Sequence, residues 1–387
     1  MLNIPVDAKR GSLPTMVLAL GTFAVGTDAF VVAGFLPAMA RSLQVTEAVA
    51  GQSVTVFAVA YAVLSPILAT VTARAPRRTL LVAALAVLGL ANVGSALSPS
   101  FPMLLATRVL AAAGAAAYTP NAGAVAAALS RPESRGRALA TVVGGLTVAT
   151  AVGVPLGGLA GQWLGWRAAL ALVAGACLAV GAGVLAIMPR LAGAPRVPLR
   201  VRLGVLRRPA VQAILPLTVL GMGASYTVYA YSVPALHAVG VGEPASMLFV
   251  YGLGAVIGNL AAGYTTDRWG ATRVLLGGYV VMASSLALLG VMAATGLASV
   301  GAAAVLVAGW GASSWCQTPP QQHRLIAAAP QETALVVSLN SSAIYSGIGV
   351  GTLLGGLTLA QGAGLMYGAG TVLALAALVL ALLTRRS

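Results

Sequence analysis

Pro189 to Arg208 reads PRLAGAPRVPLRVRLGVLRR, the one long basic, proline-containing break in a chain of 387 residues. Outward from it in both directions the sequence is apolar: 59% of residues are hydrophobic, 7% are charged, and the mean hydropathy is +0.94. Soluble domains carry about a quarter charged residues, so this composition excludes a soluble globular protein. Twenty-two Lys and Arg against seven Asp and Glu give a net charge of +15. In a soluble chain that excess suggests a nucleic-acid partner, but here no soluble domain exists to carry a basic face, and none is expected. The basic residues belong between membrane spans, and the partner that composition implies is the lipid bilayer.

A bilayer core of about 30 Å takes roughly 20 apolar residues per helix. Apolar runs between charge and Pro/Gly punctuation predict spans near 15–38, 48–71, 78–97, 101–125, 136–159 and 165–188, and, after the break, near 210–235, 246–266, 273–293, 296–318, 333–358 and 362–383. The first run follows Lys9 and Arg10 as a signal peptide would, but it is too long for a cleaved apolar region and reads as a membrane helix. The expected fold is an all-α polytopic membrane protein: a six-helix bundle over 1–188, a linker over 189–208 and a second six-helix bundle over 209–387. With twelve spans, nineteen of the 22 basic residues fall on one face, Arg41 and Arg167 fall on the other, and Arg108 lies inside a span. The positive-inside rule then places both termini and the linker in the cytoplasm; the Ala/Gly/Arg richness with one Lys suggests a high-GC bacterial genome, and the expected location is the bacterial plasma membrane.

The two halves repeat one another. Ala73-Arg74-Ala75-Pro76-Arg77 aligns with Asp267-Arg268-Trp269-Gly270-Ala271 at an offset of 194, and VGVPLGG from Val152 aligns with VGTLLGG from Val350 at an offset of 198. Two nearly equal offsets of half the chain predict a parallel repeat, with a binding cavity between the halves near the bilayer midplane.

Five segments carry a family resemblance. The loop GYTTDRWGATR, with Gly263, Asp267, Arg268, Gly270 and Arg273 as its fixed points, is similar to the cytoplasmic signature of the major facilitator superfamily. Its first-half counterpart lacks the acid, since Ala73 and Pro76 replace Asp and Gly while Arg74, Arg77 and Arg78 remain. That degenerate form resembles the branch containing chloramphenicol and sugar-efflux proteins. The run Gly153-Val154-Pro155-Leu156-Gly157-Gly158 resembles the antiporter-specific motif of span five with one residue inserted between Gly and Pro. GTDAFVVAGFLP resembles the branch's span-one pattern, with Ala29 separating the acid from Phe30, and LLATRVLAAAGAAA resembles its span-four pattern. The resemblance covers nearly the whole chain. It implies a twelve-helix drug:proton antiporter in which the two basic loops and the span-five glycines gate the transporter. For the loops the alternative is a solvated basic turn that only sets topology; for the glycines it is ordinary small-residue packing.

Of the seven acids, only Asp28 cannot be assigned to a terminus, a loop or a span end. A charge at a span centre costs roughly 2.5–3.5 kcal/mol on insertion scales, so Asp28 should face a protein cavity. A carboxyl placed there can exchange a proton as its surroundings alternate between dry and wet. Arg108 is the only base inside a span, about 10 Å below the outer face by helical rise, against about 14 Å for Asp28. If the first and fourth spans both line the cavity, as the resemblance implies, the two can pair directly or through water; permanent structural pairing of Asp28, and anchoring of span four by Arg108, are the alternatives. Inside its spans the second half offers only uncharged polar and aromatic residues; Tyr229, Trp310 and Asn340 there, with Tyr61 and Asn121 of the first half, are the candidates for contact with a largely apolar small-molecule substrate.

No catalytic, nucleotide-binding or metal-ligand motif is present, and Cys177 and Cys316 read as packing residues, so no cofactor and no metal are expected. The expectation is a monomeric, proton-coupled exporter of a small lipophilic drug or metabolite. A sugar or amino-acid exporter of the same fold and a non-transporting membrane sensor are the rival readings.

Overall fold

The computed structural model describes residues 12–131, 134–193, 198, 200, 204–330 and 333–384, and these form helices and turns with no strand among them. In the first half α1 (Ser12–Phe30) and α2 (Val32–Ser42) make one crossing, followed by α3 (Glu47–Val71), α4 (Arg77–Ala96) and α5 (Phe101–Leu129). The fifth crossing is α6 (Arg135–Val148) with α7 (Val154–Trp163), and the sixth is α8 (Trp166–Ile187). In the second half α9 (Pro209–Tyr229) continues into α10 (Ser232–Ala238), followed by α11 (Pro244–Trp269) and α12 (Ala271–Thr295). Then come α13 (Val300–Cys316) with α14 (Thr318–Ala328), α15 (Thr333–Leu359) and α16 (Ala363–Leu383). Helix is the natural state of such runs, because in hydrocarbon every backbone donor and acceptor must be satisfied within its own segment.

Among the described residues eleven helical runs are long and apolar enough to cross a membrane, Arg135–Trp163 counting as one. The remaining crossing corrects the boundaries predicted near 296–318: α13 has 17 residues, and the chain continues as α14 to Ala328, where a loop was expected. Pro319 and Pro320 sit in the first turn of α14, where their missing N–H groups cost nothing, so the chain steps at Gln317 and remains helical. Residues 194–197, 199 and 201–203 of the 189–208 linker lie outside the described residues, as do Lys9, Arg10, Arg385 and Arg386.

The repeat is written into the backbone. Phe35 (φ −134°, ψ 16°) and Tyr231 (φ −114°, ψ 29°) kink the first and seventh crossings at an offset of 196 residues. Each kink closely precedes a proline, Pro37 or Pro234, whose ring excludes the carbonyl four residues back. The positive-φ turns pair likewise, Gln44 with Gly240 at the same offset and Gly165 with Gly362 one residue beyond it. Span five behaves differently: a π turn over Ala149–Gly153 immediately precedes α7, and Pro155 sits in the first turn of α7, where its missing N–H is tolerated.

Small residues set the packing. Side chains added at Gly153 and Gly157 of span five would overlap Thr27 and Val31 of span one, and side chains at Gly351 and Gly355 of α15 would overlap Gly223 and Thr227 of α9. These are the same contacts one repeat apart. The seams between the halves are paired too: the span-five π turn meets α11 with Ala151 against Gly252, and α15 meets α3 with Gly349 against Ala58 and Val59. At the end carrying Ser42 and Ser98, Arg167 donates to the Ser42 hydroxyl (2.7 Å) and the Ser98 carbonyl (3.1 Å), tying three turns together. There α2 also packs against α10. Apolar side chains such as Leu156, Leu260 and Val305 remain exposed, as lipid-facing residues should.

Candidate functional site

The largest fully buried side chains are Trp310, Arg108 and a set of tyrosines. Asp28, on the last turn of α1, and Arg108, on α5, are 0% and 1% exposed. Their carboxylate oxygen and guanidinium nitrogen are 2.7 Å apart, the one ion pair among the described residues. A second Arg108 nitrogen donates to the Asp28 carbonyl at 3.2 Å, and the guanidinium lies over the Phe57 ring at 4.5 Å from its centroid. Arg108 is therefore held from both sides, by charge and by an aromatic face. The other carboxylate oxygen of Asp28 and Nε of Arg108 have no hydrogen-bond partner among the described residues. A buried ionic group with spare bonding capacity is costly to leave so.

Around this pair the halves meet through aromatic rings. Tyr61 of α3 stacks on Tyr345 of α15 at 3.7 Å, and Phe57 meets the same tyrosine at 6.1 Å. Phe30, two residues beyond Asp28, inserts between Tyr226 (5.8 Å) and Trp315 (5.9 Å). From Tyr226 the chain of rings continues to Tyr229 (5.1 Å), Tyr251 (4.7 Å) and Trp310 (4.8 Å). Of these rings, the sequence singles out Tyr61, Tyr229 and Trp310, and not Phe57, Tyr226, Tyr251, Trp315 or Tyr345. The available signal was spacing: Phe57 with Tyr61 and Tyr226 with Tyr229 are one helical turn apart.

The second half holds a neutral network where the first holds charge. Trp310 Nε1 donates to Ser225 Oγ (2.9 Å), Ser225 and Ser314 lie 2.6 Å apart, and Tyr251 Oη is 3.2 Å from Ser225. Ser314 donates its one proton to the Trp310 carbonyl (2.7 Å), so Ser225 must donate to Ser314 and Tyr251 to Ser225. Every donor in this set is spent.

The remaining candidates lie elsewhere. Asn121 is half-buried near the opposite end of α5 and accepts from Arg77 (2.7 Å), apart from the rings. Asn340 accepts from Thr218 at 3.2 Å. In the first-half basic loop, the Arg77 amide donates to the Leu191 carbonyl (2.9 Å), Arg78 reaches the Leu185 carbonyl, and the backbone of Arg74 packs against Gly193. That loop, which lacks the acid, is anchored by backbone carbonyls at the end of α8 and the start of the linker. In the second-half loop Asp267, Arg268 and Arg273 are exposed, Arg268 approaches Tyr264 at 3.5 Å, Gly263 is unobstructed, and Gly270 turns the chain at φ 85°. Pro155 and Gly158 are buried on span five, with Gly158 against Gly34.

Two six-helix bundles meeting around a buried polar centre form the architecture of a multi-pass secondary transporter. The chain belongs to the Major Facilitator Superfamily, whose family profile matches residues 18–248. It is 31% identical to the inner membrane transport protein YdhP of Escherichia coli K12 over 92% of this chain and 90% of that protein. It is 30% identical to the MFS-type transporter YbcL of Bacillus subtilis, over 88% and 87%. With a chloramphenicol resistance protein of Streptomyces lividans it shares 35% identity over 70% of this chain and 71% of that one. Among solved structures, a bacterial homologue of the human lysosomal transporter Spinster, in an inward-facing, occupied conformation, has the same fold. Its TM-score is 0.74 at 17% identity, over 100% of this chain and 98% of that one.

Proposed function

We propose that this transporter is a proton-coupled exporter of a small lipophilic drug or metabolite, working by alternating access from the cytoplasm with both termini on the cytoplasmic side. The observation that carries the reading is the Asp28–Arg108 pair, buried beside an aromatic lining drawn from both halves and retaining an unpartnered carboxylate oxygen. Ionised, Asp28 holds Arg108 and ties α1 to α5. Protonated, it surrenders the ion pair, and α1 is free to shift with the span-five surface on which it rides. Protonation from the outer side and substrate binding from the inner side then alternate at one centre, so that inward proton flow drives outward export. The small-residue seams Ala151–Gly252 and Gly349–Ala58 are the surfaces on which the halves rock, and the two basic loops limit the motion at the cytoplasmic end. The chloramphenicol resistance relative supports an uncharged antibiotic as the first substrate to try.

The test uses everted membrane vesicles with an acidified lumen. Chloramphenicol should release lumenal protons from vesicles carrying the native protein, and Asp28→Asn should abolish the release. A response that survives the substitution places the coupled proton elsewhere, and no response to chloramphenicol or to a panel of lipophilic cations removes drug export in favour of metabolite export.

A further inference from the structure

Phe30 is two residues from Asp28 on the first-half span, yet its ring sits against Tyr226 and Trp315 of the second half, at 5.8 Å and 5.9 Å. The Tyr226 and Tyr229 hydroxyls and the Trp315 indole N–H are buried without a hydrogen-bond partner among the described residues. By contrast, the neighbouring Trp310 N–H and Tyr251 hydroxyl are committed to Ser225. Two groups of aromatic residues thus lie side by side, one locked by its own hydrogen bonds and one with its donors unspent. The charge beside them sums to zero, because Asp28 is matched by Arg108.

We infer that Tyr226, Tyr229 and Trp315 form the substrate's aromatic subsite, that Phe30 occupies this subsite in the present conformation as a built-in competitor, and that the subsite selects uncharged aromatic molecules bearing hydrogen-bond acceptors. A substrate ring that stacks on Tyr226 and Trp315 takes the place of Phe30, and its nitro, carbonyl or ether oxygens accept from the three free donors. Phe30 and Asp28 share the last turn of α1, which joins substrate entry to the ion pair. A permanent cation finds no net negative charge here, and burying it beside Arg108 carries an uncompensated desolvation cost. Trp310 is a positioning residue: its indole holds Ser225, Ser314 and Tyr251 in place and offers the substrate no donor. The inference deepens the exporter reading by naming the substrate class, and it rests on that reading for the direction of transport only.

Equilibrium dialysis of the purified full-length protein in detergent, with radiolabelled chloramphenicol and no pH gradient, separates the two claims. Phe30→Ala should tighten chloramphenicol binding several-fold, with Phe30→Leu, which keeps the apolar bulk and loses the ring, shifting it the same way. Tyr226→Phe and Trp315→Phe, which keep a ring and remove one donor, should each weaken binding by about tenfold. Tetraphenylphosphonium in tenfold excess should leave bound chloramphenicol in place. Weaker binding in both Phe30 variants, unchanged binding in both donor variants, displacement by tetraphenylphosphonium, or no binding to native protein and Phe30→Ala alike overturns the inference. Binding as expected without proton movement in the vesicle assay would overturn the exporter reading and leave this subsite standing. Proton-coupled movement of the cation would do the reverse.

Discussion

The two halves share a backbone and differ in chemistry. Kinks at Phe35 and Tyr231 and left-handed turns at Gln44 and Gly240 keep one register of 196 residues. Small-residue contacts at Gly153–Thr27 and Gly351–Gly223 stand in nearly the same register. Within that common frame the first half buries an ion pair with unspent capacity, while the second half buries a Ser225-centred network in which every donor is used. The comparison teaches a division of labour. A neutral, saturated network rigidifies the helices that carry it, whereas a buried ion pair is stable only while both charges persist, so a single proton changes its energy by a large amount.

Breaking that contrast should show in stability measured by thermal unfolding of the purified protein in detergent. Arg108→Leu leaves Asp28 buried and uncompensated, and should cost about 3–5 kcal/mol, with the double variant Asp28→Leu/Arg108→Leu recovering most of it. Ser225→Ala strands the Trp310 N–H and the Tyr251 hydroxyl but no charge, and should cost about 1–3 kcal/mol. An equal loss in the two single variants would erase the distinction between the halves.

The glycine contacts sharpen the comparison at smaller amplitude. A methyl group at Gly351 would sit 2.9 Å from the Gly223 Cα, against backbone that cannot turn aside, while at Gly153 it would meet chiefly the Thr27 side chain. Gly351→Ala should therefore cost about 1–3 kcal/mol and Gly153→Ala less, because the threonine can change rotamer. The same unfolding measurement checks it, and the reverse order would mean that span five, with its π turn, is the more tightly packed of the two.

Much of this was legible in the sequence, for identifiable reasons. Twelve crossings follow from run length and charge, and the repeat from two offsets near half the chain. Asp28 and Arg108 stood out because charge inside a span is expensive, and helical rise put them at similar depth. Their direct contact depends on the rotation of two helices, which periodicity in a uniformly apolar run does not encode. The same limit hid Tyr226, Tyr251, Trp315 and Tyr345, whose meeting requires four helices to turn the right faces inward. The partner of Asn121 was hidden differently: Arg77 reaches it from the start of another helix, 44 positions away. The extension of span ten into α14 was missed because a Pro-Pro pair reads as a stop, although at the first turn of a helix it is tolerated.

The central claim is that one proton on Asp28 and one substrate compete through the same buried pair. Adding chloramphenicol to the purified protein in weakly buffered solution with a pH indicator tests it without a membrane or a gradient. The account predicts proton release that saturates with binding in the native protein and is absent in Asp28→Asn. Equal release from Asp28→Asn would contradict it.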